Sequence, residues 1–251
     1  MLATLPMYAS LPMYDWPEVR AASDAFWAAL ARQLDSRIEL FRGGDHTKPW
    51  LQPNLLFSQT CGYPFTHALR GKVAYVATPH YLVDGCDGPS YSSLIFGREA
   101  KPLAHYRGSA AAINSLDSMS GMLALRLATA PLATNGGFFG SQIISGSHVH
   151  SLELVQAGAA DVCAVDAVCI ALAKNHRPEL LHGLVEVGRS PMVPGLPYIT
   201  QSTHVPRIRD ALSRVFADDE LKPVRTSLCL GGISILNPQD YDVILDLENA
   251  L

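Results

Sequence analysis

The chain has 251 residues, 48% of them hydrophobic and 17% charged, with a formal net charge of −4. That length supports one large domain or two lobes with a buried core. No cluster of Lys or Arg marks a nucleic-acid surface or a polybasic membrane contact, and no apolar run reaches the length of a membrane helix.

The opening Met1–Tyr8 lacks a basic start and a sustained apolar core, so it does not read as a secretory signal. Met7 to Leu11 predicts a first strand. Asp15-Trp16-Pro17-Glu18 predicts a helix start, with Asp as cap, Pro in the first turn and Glu three places after the cap. The helix runs to about Leu34, with Val19, Ala22, Phe26, Leu30 and Leu34 on one face. Further strands are predicted at Ile38–Phe41, Leu55–Ser58, Lys72–Thr78, Tyr91–Phe96, Ala110–Ile113, Gln142–Ser145, Asp161–Val165 and Leu184–Val187. A short helix to Leu69 follows the Leu55 strand, and longer ones run from Met122 to near Pro131, Val149 to Gln156, Ala167 to Lys174, Val205 to Phe216 and Pro238 to Leu251. Gly43–Pro53 and Pro79–Ser90 read as loops, Thr134–Gly137 as a turn, and Pro191–Pro197 as a crossing segment or hinge. Leu228–Leu236 is apolar with paired glycines.

Strands alternating with helices at this spacing imply βαβ units and mainly parallel sheets, an α/β fold. In such sheets ligands sit beyond the carboxyl ends of the strands, at helix N-termini. Asn114-Ser115-Leu116-Asp117-Ser118-Met119-Ser120-Gly121 stands at such a place, between the Ala110 strand and the Met122 helix. The hydroxyls of Ser118 and Ser120 can donate to an anion, the N–H groups of Met119, Ser120 and Gly121 add to them, and Gly121 lets a ligand approach the backbone. The competing reading is that Asp117 or Ser118 only caps the helix. Gly146-Ser147-His148 and Cys61-Gly62-Tyr63 are similar junctions. His148 and Tyr63 are ligand donors or packing groups, and Asp166 either caps its helix or accepts a hydrogen bond from a protonated ligand or an amine. Tyr14, after the first strand, is a further ligand candidate.

No metal set emerges from the nine histidines and five cysteines, no phosphate loop or dinucleotide fingerprint is present, and no cofactor is implied. Cys163 and Cys169 lie in apolar sequence and read as buried. Cys61 and Cys86 lie in loop-like sequence, where a bridge between them is one of two open readings. No complete catalytic set is found. Were the chain an enzyme, Cys61, His148 and Asp166 would be its reactive groups.

Several segments together carry a family resemblance. They are YASLPMYD from Tyr8, QTCGYP from Gln59, GCDGP from Gly85, NSLDSMSG from Asn114, the Gly146-Ser147-His148 junction, and ADVCAVD from Ala160. The chain resembles the phosphonate- and phosphite-type substrate-binding proteins of ABC transporters. That resemblance implies a two-lobed, type II periplasmic-binding-protein fold with a ligand cleft between the lobes, residues 1–91 plus 189–251 forming one and 92–188 the other. It implies capture of a small oxyanion by lobe closure, with a transporter permease as partner. The ligand contacts it implies are Ser118, Met119, Ser120 and Gly121 at the helix start, His148 and Asp166 from the second lobe, and Tyr63 from the first. Met119 stands where the family has a middle hydroxyl, which points to a ligand with fewer oxygens or with an apolar substituent there. The implied location is periplasmic or membrane-associated if the chain is exported, and cytoplasmic otherwise. An enzyme or a sensor on the same fold is the alternative.

Overall fold

The computed structural model describes residues 7–43, 47–134 and 137–251. The chain start, the Gly44-Asp45-His46 part of the first predicted loop, and Asn135-Gly136 of the predicted turn lie outside the described residues.

The chain divides into two compact units, Met1–Leu82 with Gly195–Asp240, and Val83–Pro194 with Tyr241–Leu251. The first begins with β1 (Tyr8–Ala9) and a 3-10 turn (Pro17–Val19) that runs into α1 (Arg20–Gln33). α2 (Thr47–Trp50), β2 (Leu55–Gln59), α3 (Gly62–Thr66) and β3 (Ala74–Tyr81) follow. The second unit holds β4 (Cys86–Asp87), β5 (Ser90–Tyr91), β6 (Ser93–Gly97) and β7 (Ala110–Ile113). A π turn (Met119–Leu123) then continues as α4 (Ala124–Thr129), before β8 (Ser141–Ile144), α5 (His148–Gln156), β9 (Val162–Asp166) and α6 (Ala167–His176). β10 (Val185–Arg189) and β11 (Val193–Pro194) complete its strands. The chain returns to the first unit with β12 (Tyr198–Thr200), α7 (Val205–Ala217), α8 (Lys222–Ser227) and β13 (Leu230–Ser234), and ends on α9 (Val243–Asn249) in the second.

The first unit's sheet has the order β1-β2-β12-β3-β13, and the second unit's has β10-β6-β9-β7-β8. The expectation of mainly parallel sheets is corrected. β12 lies antiparallel between β2 and β3, β13 is antiparallel to β3, and β6 is antiparallel to both β9 and β10. Among the described residues, only β1–β2, β7–β8 and β7–β9 pair in parallel. β6 and β12 are the strands by which the chain enters or re-enters a unit, and each runs against neighbours built from βα connections.

The unit boundaries differ from those the resemblance implied. Val83–Tyr91 and Arg189–Pro194 belong to the second unit, where β4, β5 and β11 form a small sheet and Arg189 bonds Asp84 through both terminal nitrogens at 2.8 and 2.7 Å. The C-terminal helix also belongs there, with Ile244 fully buried and Glu248 3.8 Å from Arg126.

Each core follows from side-chain periodicity. α7 buries Ile208, Ala211, Leu212 and Val215, one stripe at helical spacing. α1 buries a wider face than Val19-Phe26-Leu30-Leu34 alone, because Trp27 stacks on Phe57 at 5.9 Å and donates its indole N–H to the Ile38 carbonyl at 2.7 Å. β7 and β9 are flanked by strands on both sides, and every residue of β9 is buried. Three local expectations fail for identifiable reasons. Ile38–Phe41 forms no strand, and its link to the edge strand among the described residues is the bond from the Phe41 N–H to the Ala9 carbonyl. Asp15 does not cap the first helix, because its carboxylate pairs with Arg42 and Arg20. The predicted loop from Pro79 is shorter than read, because β13 pairs with β3 as far as Tyr81.

Candidate functional site

β7, β8 and β9 are adjacent and parallel, so their carboxyl ends lie along one edge of the second unit's sheet. A helix starts beyond each of those ends. Beyond β7, Ser118 is the cap, its Oγ accepting the Gly121 N–H at 2.9 Å. Beyond β8, Ser147 caps α5 by accepting the His150 N–H at 3.1 Å. Beyond β9, Asp166 caps α6 by accepting the Val168 N–H at 2.8 Å. The middle helix opens with a π turn, in which the Leu123 N–H reaches the Ser118 carbonyl at 3.0 Å. The N–H groups of Met119 and Ser120 therefore precede the first intrahelical acceptor and carry the positive end of the helix dipole.

Two of these junctions converge. Ser120 Oγ lies 2.8 Å from His148 Nε2, and Ser118 Oγ lies 3.5 Å from Ser120 Oγ. Ser118 and Ser120 are buried, at 3% and 5% exposure. Burial pushes the His148 imidazole down to about 4, partly offset by the Ala164 carbonyl, so at neutral pH the ring is uncharged. Hydrogen bonds also tie the loop after β7 to the loop after β8. The Ser145 N–H reaches the Ile113 carbonyl at 2.8 Å, and the Gly146 N–H reaches the Asn114 carbonyl at 3.0 Å.

Two buried polar atoms here have no partner: Asn114 Oδ1 and Ser93 Oγ. Ser93 starts β6 directly across from Asp166, at the same sheet edge. A buried polar atom without a partner costs on the order of 1–3 kcal/mol, so two at one edge mark a place built for something else to bind. Sequence reasoning missed Ser93 altogether and passed over Asn114 within its motif, because no spacing announces an unsatisfied atom. The need for glycine at 121 is also explained. A Cβ there would sit 1.9 Å from Asn114 Oδ1.

Met119 differs from expectation. Its side chain is 1% exposed and packs in the core, so its contribution to the turn is its backbone N–H. Asp166 is 1% exposed, and its capping bond realises the simpler of its two readings without excluding the other. Tyr63 and Tyr14 belong to the first unit. Tyr63 lies in α3, after the cap residue Cys61, and stacks on His67 with ring centroids 3.8 Å apart. Tyr14 meets Tyr81 edge-on at 5.1 Å, and Tyr81 in turn accepts from Gln59 Nε2 at 3.1 Å. Cys61, in the first unit, and Cys86, in the second, are both in the thiol form in this structure. Among the described residues no group of three or more His, Cys, Asp and Glu could hold a metal ion, and no helix is long and apolar enough to cross a membrane.

A family described as "ABC transporter, phosphonate, periplasmic substrate-binding protein" matches residues 8–241. Among solved structures, the chain is similar to PhnD1 from Prochlorococcus marinus, solved in complex with methylphosphonate, at 13% identity over 97% of each chain with a TM-score of 0.77. It is similar to a binding-protein component of an ABC phosphonate transporter from Pseudomonas aeruginosa, at 16% identity over 97% of this chain and 85% of that one, with a TM-score of 0.75. It is also similar to XAC2383 from Xanthomonas citri, solved bound to ATP, at 17% identity over 97% of this chain and 96% of that one, with a TM-score of 0.71. At these identities the structural likenesses establish the fold, the α/β architecture of type II periplasmic binding proteins. No curated protein sequence matches the chain in direct comparison.

Proposed function

This chain belongs to the family of ABC-transporter phosphonate periplasmic substrate-binding proteins, and from that premise we propose that it captures a small oxyanion, a phosphonate, phosphite or phosphate-like ion, at the Ser118–Gly121 turn. The family binds rather than transforms its substrates, so an enzymatic role for Cys61, His148 and Asp166 is not favoured. The observation that carries the reading is the edge at the ends of β7, β8 and β9. Three helices start there, and Asn114 and Ser93 leave buried polar atoms unpartnered there. Met119 and Ser120 supply backbone donors, Ser118 supplies a hydroxyl, and the helix dipole favours negative charge.

In this reading His148 and Asp166 complete the second unit's share of the contacts, Tyr63 and Tyr14 supply the first unit's share, and the two units are the lobes that close on the ion. The ligand then passes to an ABC transporter permease, and the chain works where its family does, in the periplasm. Thermal unfolding with phosphate, phosphite, methylphosphonate and aminoethylphosphonate tests this, because a ligand bound only by the folded state raises the melting temperature. At least one of these is expected to raise it. The absence of a shift with all of them, and with sulfonates and carboxylates, overturns the reading.

A further inference from the structure

The unpartnered atoms at this edge carry a consequence for the ligand's protonation state, one that rests on the oxyanion site proposed above. An anion with no proton can only accept hydrogen bonds. It satisfies the N–H groups of Met119 and Ser120 and the Ser118 hydroxyl, whose own oxygen is already taken by the Gly121 N–H. It does nothing for a buried acceptor. Asn114 Oδ1 is such an acceptor, set against the backbone of the same turn, within 1.9 Å of where a Cβ on Gly121 would stand. Ser93, 1% exposed, adds a hydroxyl without a partner beside the carboxylate of Asp166.

Charge leads to the same conclusion. Among the described residues no Lys or Arg hydrogen-bonds to Asn114, Ser118, Ser120 or His148. Arg126, on the helix that follows the turn, reaches Met122 Sδ at 3.9 Å and Glu248 at 3.8 Å instead. The titratable groups around the turn are His148 on α5, Asp166 at the end of β9, and Cys169 on α6, close enough to feel the charge of Asp166. Asp117 is exposed in the loop before the turn, and His150 and Glu153 lie exposed along α5. Cys169 is held well above the usual thiol range and stays protonated, and His148 is neutral at neutral pH. Among the described residues, the turn and its His148 partner thus carry no formal positive charge at neutral pH. A dianion there would lie near the Asp166 carboxylate, held by the helix dipole and the Ser118 hydroxyl.

We infer that the site takes its oxyanion in the singly protonated form, with Asn114 Oδ1 accepting the ligand's O–H while the first turn of the helix holds the anionic oxygens. The class selected is therefore the monoanion of a phosphorus oxyacid that keeps one proton, over sulfur oxyanions of the same shape that keep none. Asn114 is the residue that makes the distinction.

The test is calorimetric titration of the full chain with methylphosphonate, phosphite and phosphate on one side and methanesulfonate and sulfate on the other, at several pH values between about 6 and 9, a span that crosses the ordinary range for a second phosphoryl proton. At least one phosphorus ion is expected to bind with an affinity that falls about tenfold per pH unit once its second proton is lost. The sulfur ions are expected to bind at least about tenfold more weakly, the penalty for leaving a buried acceptor unpaired. Asn114→Ala is expected to bring the two classes together, and a circular dichroism melt shows whether that variant folds. If it does not, the wild-type pH profile decides by itself. Methanesulfonate or sulfate binding as tightly as the phosphorus ions, or a flat pH profile, overturns the inference and leaves the oxyanion site standing. No binding by any of the five overturns both.

Discussion

The strand ends of the two units are finished in different ways. In the second unit, three parallel strands each deliver a helix capped by an oxygen side chain: Ser118, Ser147 and Asp166. In the first, a single five-residue helix follows β2, its cap residue Cys61 makes no side-chain capping bond, and the nearby polar groups are engaged with one another. His67 Nδ1 lies 2.9 Å from both Thr66 Oγ1 and the Tyr63 carbonyl, and Gln59 Nε2 reaches Tyr81 and the Leu196 carbonyl at 3.1 Å each. The same α/β grammar thus yields a donor-rich edge in one unit and an aromatic, internally satisfied one in the other. Oriented N–H groups can hold charge, while aromatic faces shape a pocket and exclude water. The second unit should therefore carry most of the anion affinity and the first should refine it.

The strongest way to break that comparison is to remove both hydroxyls from the capped turn. Hydrogen bonds to a charged group contribute about 1.5–3 kcal/mol each, so Ser118→Ala with Ser120→Ala should weaken oxyanion binding by about 10²–10⁴-fold. Calorimetric titration checks it. Retained affinity would move the anion site away from this edge. Gly121→Ala attacks the same turn through packing. The added Cβ would meet Asn114 Oδ1 at 1.9 Å and the Asn114 backbone nitrogen at 3.3 Å. Overpacking of this kind costs about 1–3 kcal/mol, so urea unfolding should show a loss near the top of that range.

These variants target the part of the molecule most legible in the sequence. Alternation of apolar runs placed β7, β9, α6 and α7 within a residue or two of their observed ends, because each is a buried strand or an amphipathic or buried helix whose period is local. Small polar residues after apolar strands marked all three helix starts for the same reason. Strand order and direction were not legible. The antiparallel insertion of β12 between β2 and β3 depends on a chain that leaves one unit and returns more than a hundred residues later. Capping at Asp15 failed because Arg42, distant in sequence, competes for the carboxylate. Asn114 and Ser93 could not be singled out, since a missing partner becomes visible only when every neighbour is in place.

The next effect is a pH dependence. The pKa of His148 is lowered in the folded chain to about 4, against about 6.5 when exposed. The unfolded chain therefore binds more protons between those values. The stability that comes from burying the neutral ring is complete above about pH 6.5 and is lost as the pH falls towards 4. The ring is only partly shielded by area, so the term is on the order of 2 kcal/mol rather than the full value of the shift. Replacing His148 with Asn should flatten the stability profile in this window relative to the wild type. Parallel profiles for the two proteins, measured by urea unfolding at pH 4.5 and pH 7, would show that the imidazole is not held neutral by the fold.

The smallest effect should come from the first unit, and it is the one that sharpens the comparison. Tyr63 is half-buried and its ring is already stacked on His67, so removing its hydroxyl leaves the packing in place. If Tyr63 bonds the ligand oxygen as proposed, Tyr63→Phe forfeits one hydrogen bond, about 0.5–1.5 kcal/mol, or up to roughly tenfold in affinity. Tyr63→Ala also removes the ring, and so tests shape as well as donation. A loss with Tyr63→Phe as large as that of the paired serine variant would reverse the division of labour and make the aromatic edge the anchor. No loss with either variant would leave the second unit as the sole source of affinity, since neither the hydroxyl nor the ring of Tyr63 would then reach the ligand.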